Sequence, residues 1–207
     1  EDPNLLEIRR AEDGLRAWAS EPGEYYNGFD GSYGGLWRRN GRAPQQLVGV
    51  GFTAQGTFDG MPYKRLCYDK NFDWVFEGIE DEIIGDFGFS GNGAAGFELD
   101  RTDPKLNPGH RITVLAQSFA TDEKFILVPE EQLTHLTNLS GGPESEVKRA
   151  DMIYFETPTG GRVFSVGSIT FCGSLPWNNF ENNVSCLLLN VLSRSLGNLV
   201  SGTAGQV

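Results

Sequence analysis

Helical periodicity is scarce in this chain and glycine is plentiful, 27 of 207 residues. Together these features confine most of the fold to short strands joined by glycine-containing turns. One late segment departs from that pattern. Val184, Leu187, Leu188, Val191, Leu192 and Leu196 fall at helical spacing and predict a helix packed on the sheet. Just before it, "DMIYFETPTGGRVFSVGSITFCG" predicts two strands around the turn Thr157-Pro158-Thr159-Gly160-Gly161.

Earlier elements are shorter. Asp13-Gly14 lies between two alternating stretches and predicts a hairpin, followed by the aromatic, glycine-rich loop "EPGEYYNGFDGSYGG". "QQLVGVGF" reads as a strand, "TAQGTFDGMPYKRLCYDKNF" as a loop and "WVFEGI" as a short buried strand. "RITVLAQS" is almost continuously apolar, as a strand covered on both faces would be. "PEEQLTHL", with Pro129 in its first turn, predicts a short helix. A single domain over residues 1–196 with a flexible tail at 197–207 accounts for the whole pattern.

Charge and composition exclude several roles. A net charge of −11 repels phosphate backbones, so a nucleic-acid partner is not expected despite the local run Arg38, Arg39 and Arg42, which reads as a solvated face or subunit contact, or alternatively as a clamp for a carboxylate. The hydrophobic content of 39% is too high for disorder, yet no run reaches the ~18 to 20 residues of a membrane span. Three cysteines (Cys67, Cys172, Cys186) make neither a zinc-spaced set nor an even disulfide framework, which favours a reducing, cytoplasmic setting. Cys172 reads as a small core residue. The sequons Asn138-Leu-Ser140 and Asn183-Val-Ser185 would permit glycosylation in a secretory protein, although Asn183 reads as half-buried in a helix. The start, Glu-Asp-Pro without Met or signal region, is that of a processed product or a piece of something longer.

Chemistry-bearing motifs are few. His110 and His135 stand far apart with no zinc-type spacing. "GFSGNGAAGFE" lacks the strand-to-helix setting of a dinucleotide fingerprint; Gly91, Gly93 and Gly96 read instead as backbone passing close to something, and Asn92 as an amide donor to a ligand or a turn residue tolerating positive φ. No GxSxG elbow occurs. What remains are carboxylates and tyrosines, hard oxygen donors that suit iron(III), manganese or magnesium. "DWVFEGIEDEIIGDFG" holds six carboxylates, of which Glu80, Asp81, Glu82 and Asp86 sit in or near turns where charge is readily solvated. Glu77 follows Trp74, Val75 and Phe76, so it is expected to leave a buried strand as a ligand, a catalyst or half of an ion pair. Glu156 stands in the same way after "MIYF", or as a hairpin-end charge.

"GGLWRRNGRAPQQLVGVGFTAQG", "WVFEGIEDEIIGDFG", "GAAGFELDRTDP" and "DMIYFETPTGGRVFSVGSITFCGSLPWNNFENNVSCLLLNVL" together resemble the C-terminal region of the large, beta-type subunit of N,N-dimethylformamidase and its relatives, from about residue 5 to 196. That resemblance implies an α/β fold, the C-terminal part of a three-layer domain similar to class I glutamine amidotransferases, with strand- and loop-rich insertions. It also implies amide hydrolysis at a mononuclear iron, Fe(III), held by two tyrosinates and one glutamate. Glu77 in "WVFEGI" is carried over as the metal ligand; the tyrosines belong to a segment upstream of this chain, so Tyr25, Tyr26, Tyr33 and Tyr63, all placed in loops, are not assigned. Glu156 is the choice for the acid/base, a role that asks for burial to raise its pKa, and Asn92 for the amide that steadies the oxyanion. Cys67 and Pro176-Trp177 depart from the family's pattern and leave the substrate range open. The expected partners are a small amide substrate, an upstream fragment or other chain completing the site, a small accessory subunit and further copies in a homo-oligomer. A non-catalytic scaffold that kept the fold without the metal is the alternative, and a carbohydrate-binding module using the aromatic loops a weaker third.

Overall fold

The computed structural model describes residues 41–107, 109–119, 124–128, 131 and 144–197. Eight strands lie within it: β1 (Gly51–Gly56), β2 (Tyr63–Arg65), β3 (Ile83–Ile84), β4 (Glu98–Arg101), β5 (Thr113–Phe119), β6 (Phe125–Leu127), β7 (Arg149–Glu156) and β8 (Arg162–Ser165). They form two sheets, ordered β4-β1-β6 and β3-β2-β5-β7-β8, and every strand pair is antiparallel. Four α-helical segments accompany them: α1 (Gln45–Val48), α2 (Glu144–Val147), α3 (Phe171–Ser174) and α4 (Asn183–Leu196). Two 3-10 segments, Lys70–Phe76 and Trp177–Phe180, complete the set.

The apolar pattern accounts for the best-defined parts. In α4, Val184, Leu187 and Val191 are buried while Leu192 and Leu196 face outward. The helix starts where the Asn182 side chain accepts the Ser185 N–H at 2.8 Å, a cap that satisfies one of its otherwise unpaired donors. The buried stripe enters the same core cluster as Val75, Phe76, Ile84 and Met152, and full burial of Leu187 contributes about 2 kcal/mol. On β5, Leu115 and Ala116 belong to one core cluster while Val114 packs on the other with Ile153 and Phe155, so both faces of that strand are covered, as its sequence predicts. The β7–β8 hairpin turns through residues 157–161, with the Thr157 N–H donating to the Gly161 carbonyl at 2.8 Å. That turn length sets Glu156 opposite Arg162.

Buried charge fastens the two sheets where β4 packs against β7. Arg101 reaches Glu131 at 2.9 Å and Asp103 at 3.1 Å. Asp151, fully buried, accepts the Arg149 guanidinium at 2.9 Å through one oxygen and the Thr102 N–H at 2.8 Å through the other. Each acid is paired, which is what permits its burial. Sequence reasoning missed this group because its members lie 30 and 49 residues apart and carry no shared motif.

Other expectations are corrected. "WVFEGI" is not a strand: the Asp69 side chain accepts the Asn71 N–H at 2.9 Å and starts the 3-10 segment that runs to Phe76. "QQLVGVGF" divides, its first four residues forming α1 before the chain turns at Gly49, φ +79°, and enters β1. The long loop expected after residue 52 contains most of β1 and all of β2, and Tyr63 on β2 is fully buried, its hydroxyl donating to the Val166 carbonyl. Cys172 is exposed rather than core, because it lies on the outer side of the single turn α3, whose Phe171 and Ser174 point inward; all three cysteines are free. The Asp13-Gly14 hairpin, Tyr25, Tyr26, Tyr33, Arg38, Arg39, His135, Asn138 and residues 198–207 lie outside the described residues, as does the helix expected around Pro129 apart from Glu131. None of the described helices is long and apolar enough to cross a membrane.

Candidate functional site

The alternation of β7 puts Tyr154 and Glu156 on one face at the strand's open end. Glu156 Oε1 accepts the Tyr154 hydroxyl at 3.0 Å and lies 3.6 Å from Arg162 Nε. Burial first, and then the bond to Glu156, raises the Tyr154 hydroxyl above its ordinary pKa, so the phenol remains a donor. Beside this pair opens a cleft of about 390 Å³, walled by Phe72, Trp74 and Tyr154 and flanked by Arg111 and Arg194. Trp74 meets Tyr154 edge-on at 5.4 Å and Phe72 does so at 6.0 Å. The Arg194 guanidinium lies 5.5 Å from the Trp74 ring centre, and its carbonyl receives Arg162 Nη1 at 2.6 Å. The result is a carboxylate held by a phenol and a guanidinium at the mouth of a small aromatic-walled cleft. Such a group can exchange a proton with a small ligand or pair with a cationic one.

Glu156 itself is 59% exposed at the side chain, so the burial that an acid/base role asks for is not supplied by the described residues. Glu77 is exposed too, a correction to the expected buried ligand. Its backbone caps the 3-10 segment and Gly78, φ +75°, turns the chain away, so the side chain leaves the core instead of entering it. Asn190 Nδ2 on α4 donates to the Glu77 carbonyl at 2.9 Å, whereas the Glu77 carboxylate has no partner among the described residues. The four turn acids Glu80, Asp81, Glu82 and Asp86 are exposed, as expected.

Asn92 is held elsewhere. Its amide donates to Asp59 Oδ1 at 3.2 Å, and Asp59 Oδ2 takes the Lys124 ammonium at 2.6 Å. The glycines around it do carry a close backbone approach: a Cβ on Gly91 would overlap the Phe58 carbonyl, one on Gly93 the backbone of Met61, and one on Gly96 would lie 2.9 Å from the Gly60 Cα. The loop is packed on its own chain. Glu77 and Glu156 are both moored to the last turns of α4, through Asn190 and through Arg162 with Arg194; Asn92 shares no partner with either. His110 binds the Gln46 carbonyl at 3.0 Å and leans on Phe155, the structural role expected of a lone histidine.

A sequence profile described as the C-terminal region of N,N-dimethylformamidase beta subunit-like proteins matches residues 1–183. The chain belongs to this family. It is 40% identical over 200 residues to the N,N-dimethylformamidase beta subunit of Paracoccus aminophilus and 38% identical over 200 residues to that of Alcaligenes sp. In both comparisons the match takes in 94% of this chain and 26% of the relative, so the chain spans about a quarter of their length. The matched family region contains Glu77, Asn92 and Glu156 and ends at the first residue of α4. For the metal expected of the dimethylformamidase-like family, the described residues offer no group of three His, Cys, Asp or Glu side chains. Glu77, an exposed carboxylate with no competing partner among the described residues, fits as a single hard donor.

Sequence reasoning did not single out Tyr154, Arg162, Trp74 or Arg194. The i, i+2 spacing of Tyr154 and Glu156 in "MIYFE" was a usable signal; the Arg162 contact depends on the five-residue turn, and the α4 contacts on tertiary packing.

Proposed function

We propose that this chain forms part of the active site of an amidohydrolase that cleaves the C–N bond of a small formamide or related linear amide. The observation that carries this reading is the 40% identity over 200 residues to a relative named as a dimethylformamidase beta subunit. In this reading the region completes a glutamine amidotransferase-like three-layer domain within a longer cytoplasmic polypeptide, which assembles with further copies and a small accessory subunit. Glu77 provides one ligand to a mononuclear Fe(III), and two tyrosinates come from outside this chain. Bound iron supplies Lewis acidity toward the amide carbonyl or the attacking water.

Glu156 takes a proton from that water and returns it to the departing amine nitrogen, so amide and water become carboxylic acid and amine, which then exchange a proton to leave carboxylate and ammonium. The Tyr154 hydroxyl, 3.0 Å away, and Arg162 hold the carboxylate facing the cleft. Trp74 and Phe72 exclude water from the apolar substituents of the amide. Asn92 steadies the developing oxyanion only if its bond to Asp59 opens, which makes it the weakest assignment of the three.

The test uses the natural full-length protein with its co-purifying chains, assayed for iron by elemental analysis and for dimethylamine release from N,N-dimethylformamide. Glu77→Ala is expected to lower iron content, and Glu156→Gln to keep iron while lowering kcat roughly 10²- to 10⁴-fold. Wild-type turnover in Glu156→Gln refutes its role. Iron absent from the intact assembly supports the scaffold alternative, which the exposure of both glutamates favours within this chain.

A further inference from the structure

A second open pocket, of about 530 Å³, lies at the N-terminal end of α4, the opposite end from the Glu156 cleft. The 14 residues of that helix separate the two by roughly 20 Å at 1.5 Å per residue. Three rings (Phe87, Phe89, Trp177) and three carboxylates (Asp81, Asp86, Glu181) wall it, and no lysine or arginine among the described residues does. Trp177 stacks on Phe87 with centroids 6.0 Å apart and meets Phe89 at 5.1 Å. Phe89 is 69% exposed, and Phe180, next to Glu181 in the chain, is 63% exposed.

The walls are held in place before any ligand arrives. Asn182 Nδ2 donates to the Trp177 carbonyl at 2.7 Å, and Ser174 Oγ to the Phe87 carbonyl at 2.6 Å. Asp81 is engaged by Asn183 Nδ2 at 3.3 Å, but the carboxylates of Asp86 and Glu181 have no partner among the described residues. Acids gathered beside ring faces are stabilised by a planar cation that stacks on the ring and pairs with the carboxylate. This chain already contains one such arrangement: Arg65 lies 4.0 Å over the Phe76 ring and 4.8 Å over Tyr68, with Asp73 at 3.7 Å.

We propose that the Trp177 pocket is a docking site for an arginine side chain presented by a partner polypeptide. A macromolecular source fits better than a free small cation because Phe89 on the pocket wall and Phe180, the chain neighbour of Glu181, are both mostly exposed, and a small ion leaves such rings wet where a polypeptide covers them. The net charge of −11 steers a basic partner toward the chain. The inference is independent of the amidohydrolase reading, since none of its residues belongs to the Glu156 cleft.

The experiment titrates the natural full-length protein, by calorimetry at two salt concentrations, with a blocked tetra-arginine peptide, its tetra-lysine counterpart and free guanidinium ion. The arginine peptide is expected to bind at least about tenfold tighter than the lysine peptide, and Asp86→Asn with Glu181→Gln, both exposed substitutions, to weaken it at least tenfold. Trp177→Phe retains most of the affinity and Trp177→Ala loses it. Equal binding of both peptides, or unchanged binding in the Asp86→Asn, Glu181→Gln protein, overturns the proposal. Free guanidinium binding as tightly as the peptide also overturns it, because the pocket is then a small-cation site.

Discussion

Among the described carboxylic acids, Asp100 is the one whose environment raises its pKa. It sits half-buried on β4, opposite Phe52 of β1, and its backbone N–H donates to the Gly167 carbonyl at 2.7 Å. Burial first, and the Glu98 charge second, push its carboxyl up to about 7 from the ordinary 3.8. The neighbouring Tyr63 hydroxyl is driven well above its usual range by its own burial first and then by the charges of Asp100 and Asp151. Between the two Asp100 values the folded chain holds a proton that the unfolded chain has released, so stability falls as pH rises through that window and levels off above the folded value. A shift of roughly three pH units corresponds to about 4 kcal/mol in full, of which about 2 to 3 kcal/mol develops between pH 5 and pH 8. Solvent at its open side reduces the expected loss to about 2 kcal/mol. Asp100→Asn cannot ionise and removes this component. Urea unfolding of both proteins at pH 5, 6.5 and 8 checks it: the wild-type-minus-variant stability should fall by about 2 kcal/mol across the series. A flat or rising difference refutes the reasoning.

Removing one partner of the buried joint is expected to cost more. Asp151→Ala leaves the Arg149 Nε–H and the Thr102 N–H without their acceptor and the guanidinium without its carboxylate, and should destabilise by about 3 to 5 kcal/mol in chemical denaturation. Leu187→Ala on α4, truncating a fully buried side chain, should cost about 2 to 5 kcal/mol in the same assay. Asn183 should stay unmodified in secretory expression, checked by intact mass, because its amide is engaged by the Ile83 carbonyl at 3.0 Å and its oxygen by the Gly85 N–H at 3.1 Å.

Local pattern made the β7–β8 hairpin, the doubly covered β5 and the buried stripe of α4 legible, because each depends on periodicity or turn residues within about 25 positions. It failed at "WVFEGI", where three successive bulky apolar residues suit a buried strand but the Asp69 cap and the turn at Gly78 impose a 3-10 segment. That error reversed the expectation for Glu77, since an acid following a strand into the core and one capping a 3-10 segment point opposite ways. Glu156 was legible as a hairpin-end charge, and Tyr154 stands two residues away on the same strand face. The buried acids were invisible for a different reason. Asp103, Glu131 and Asp151 stand in no shared motif, and only the packing of β4 on β7 reveals why their charges are tolerated.

Two groups of carboxylates contrast among the described residues. Asp103, Glu131 and Asp151 are 0 to 7% exposed and paired with arginine, whereas Glu77 and Glu156 stand open beside α4. An acid that binds a metal or moves a proton works best shielded from bulk water, where electrostatic interactions strengthen. Three-quarters of each matched relative lies outside the region shared with this chain, and in those relatives that is polypeptide enough to provide such a shield. In the natural full-length protein, carbodiimide labelling followed by peptide mass mapping should then modify Glu77 and Glu156 at least about tenfold more slowly than Glu80 and Glu82, which serve as internal exposed references. Labelling of all four at one rate would mean that nothing closes over α4, and the proposed site would lose its enclosure together with its best argument for chemistry.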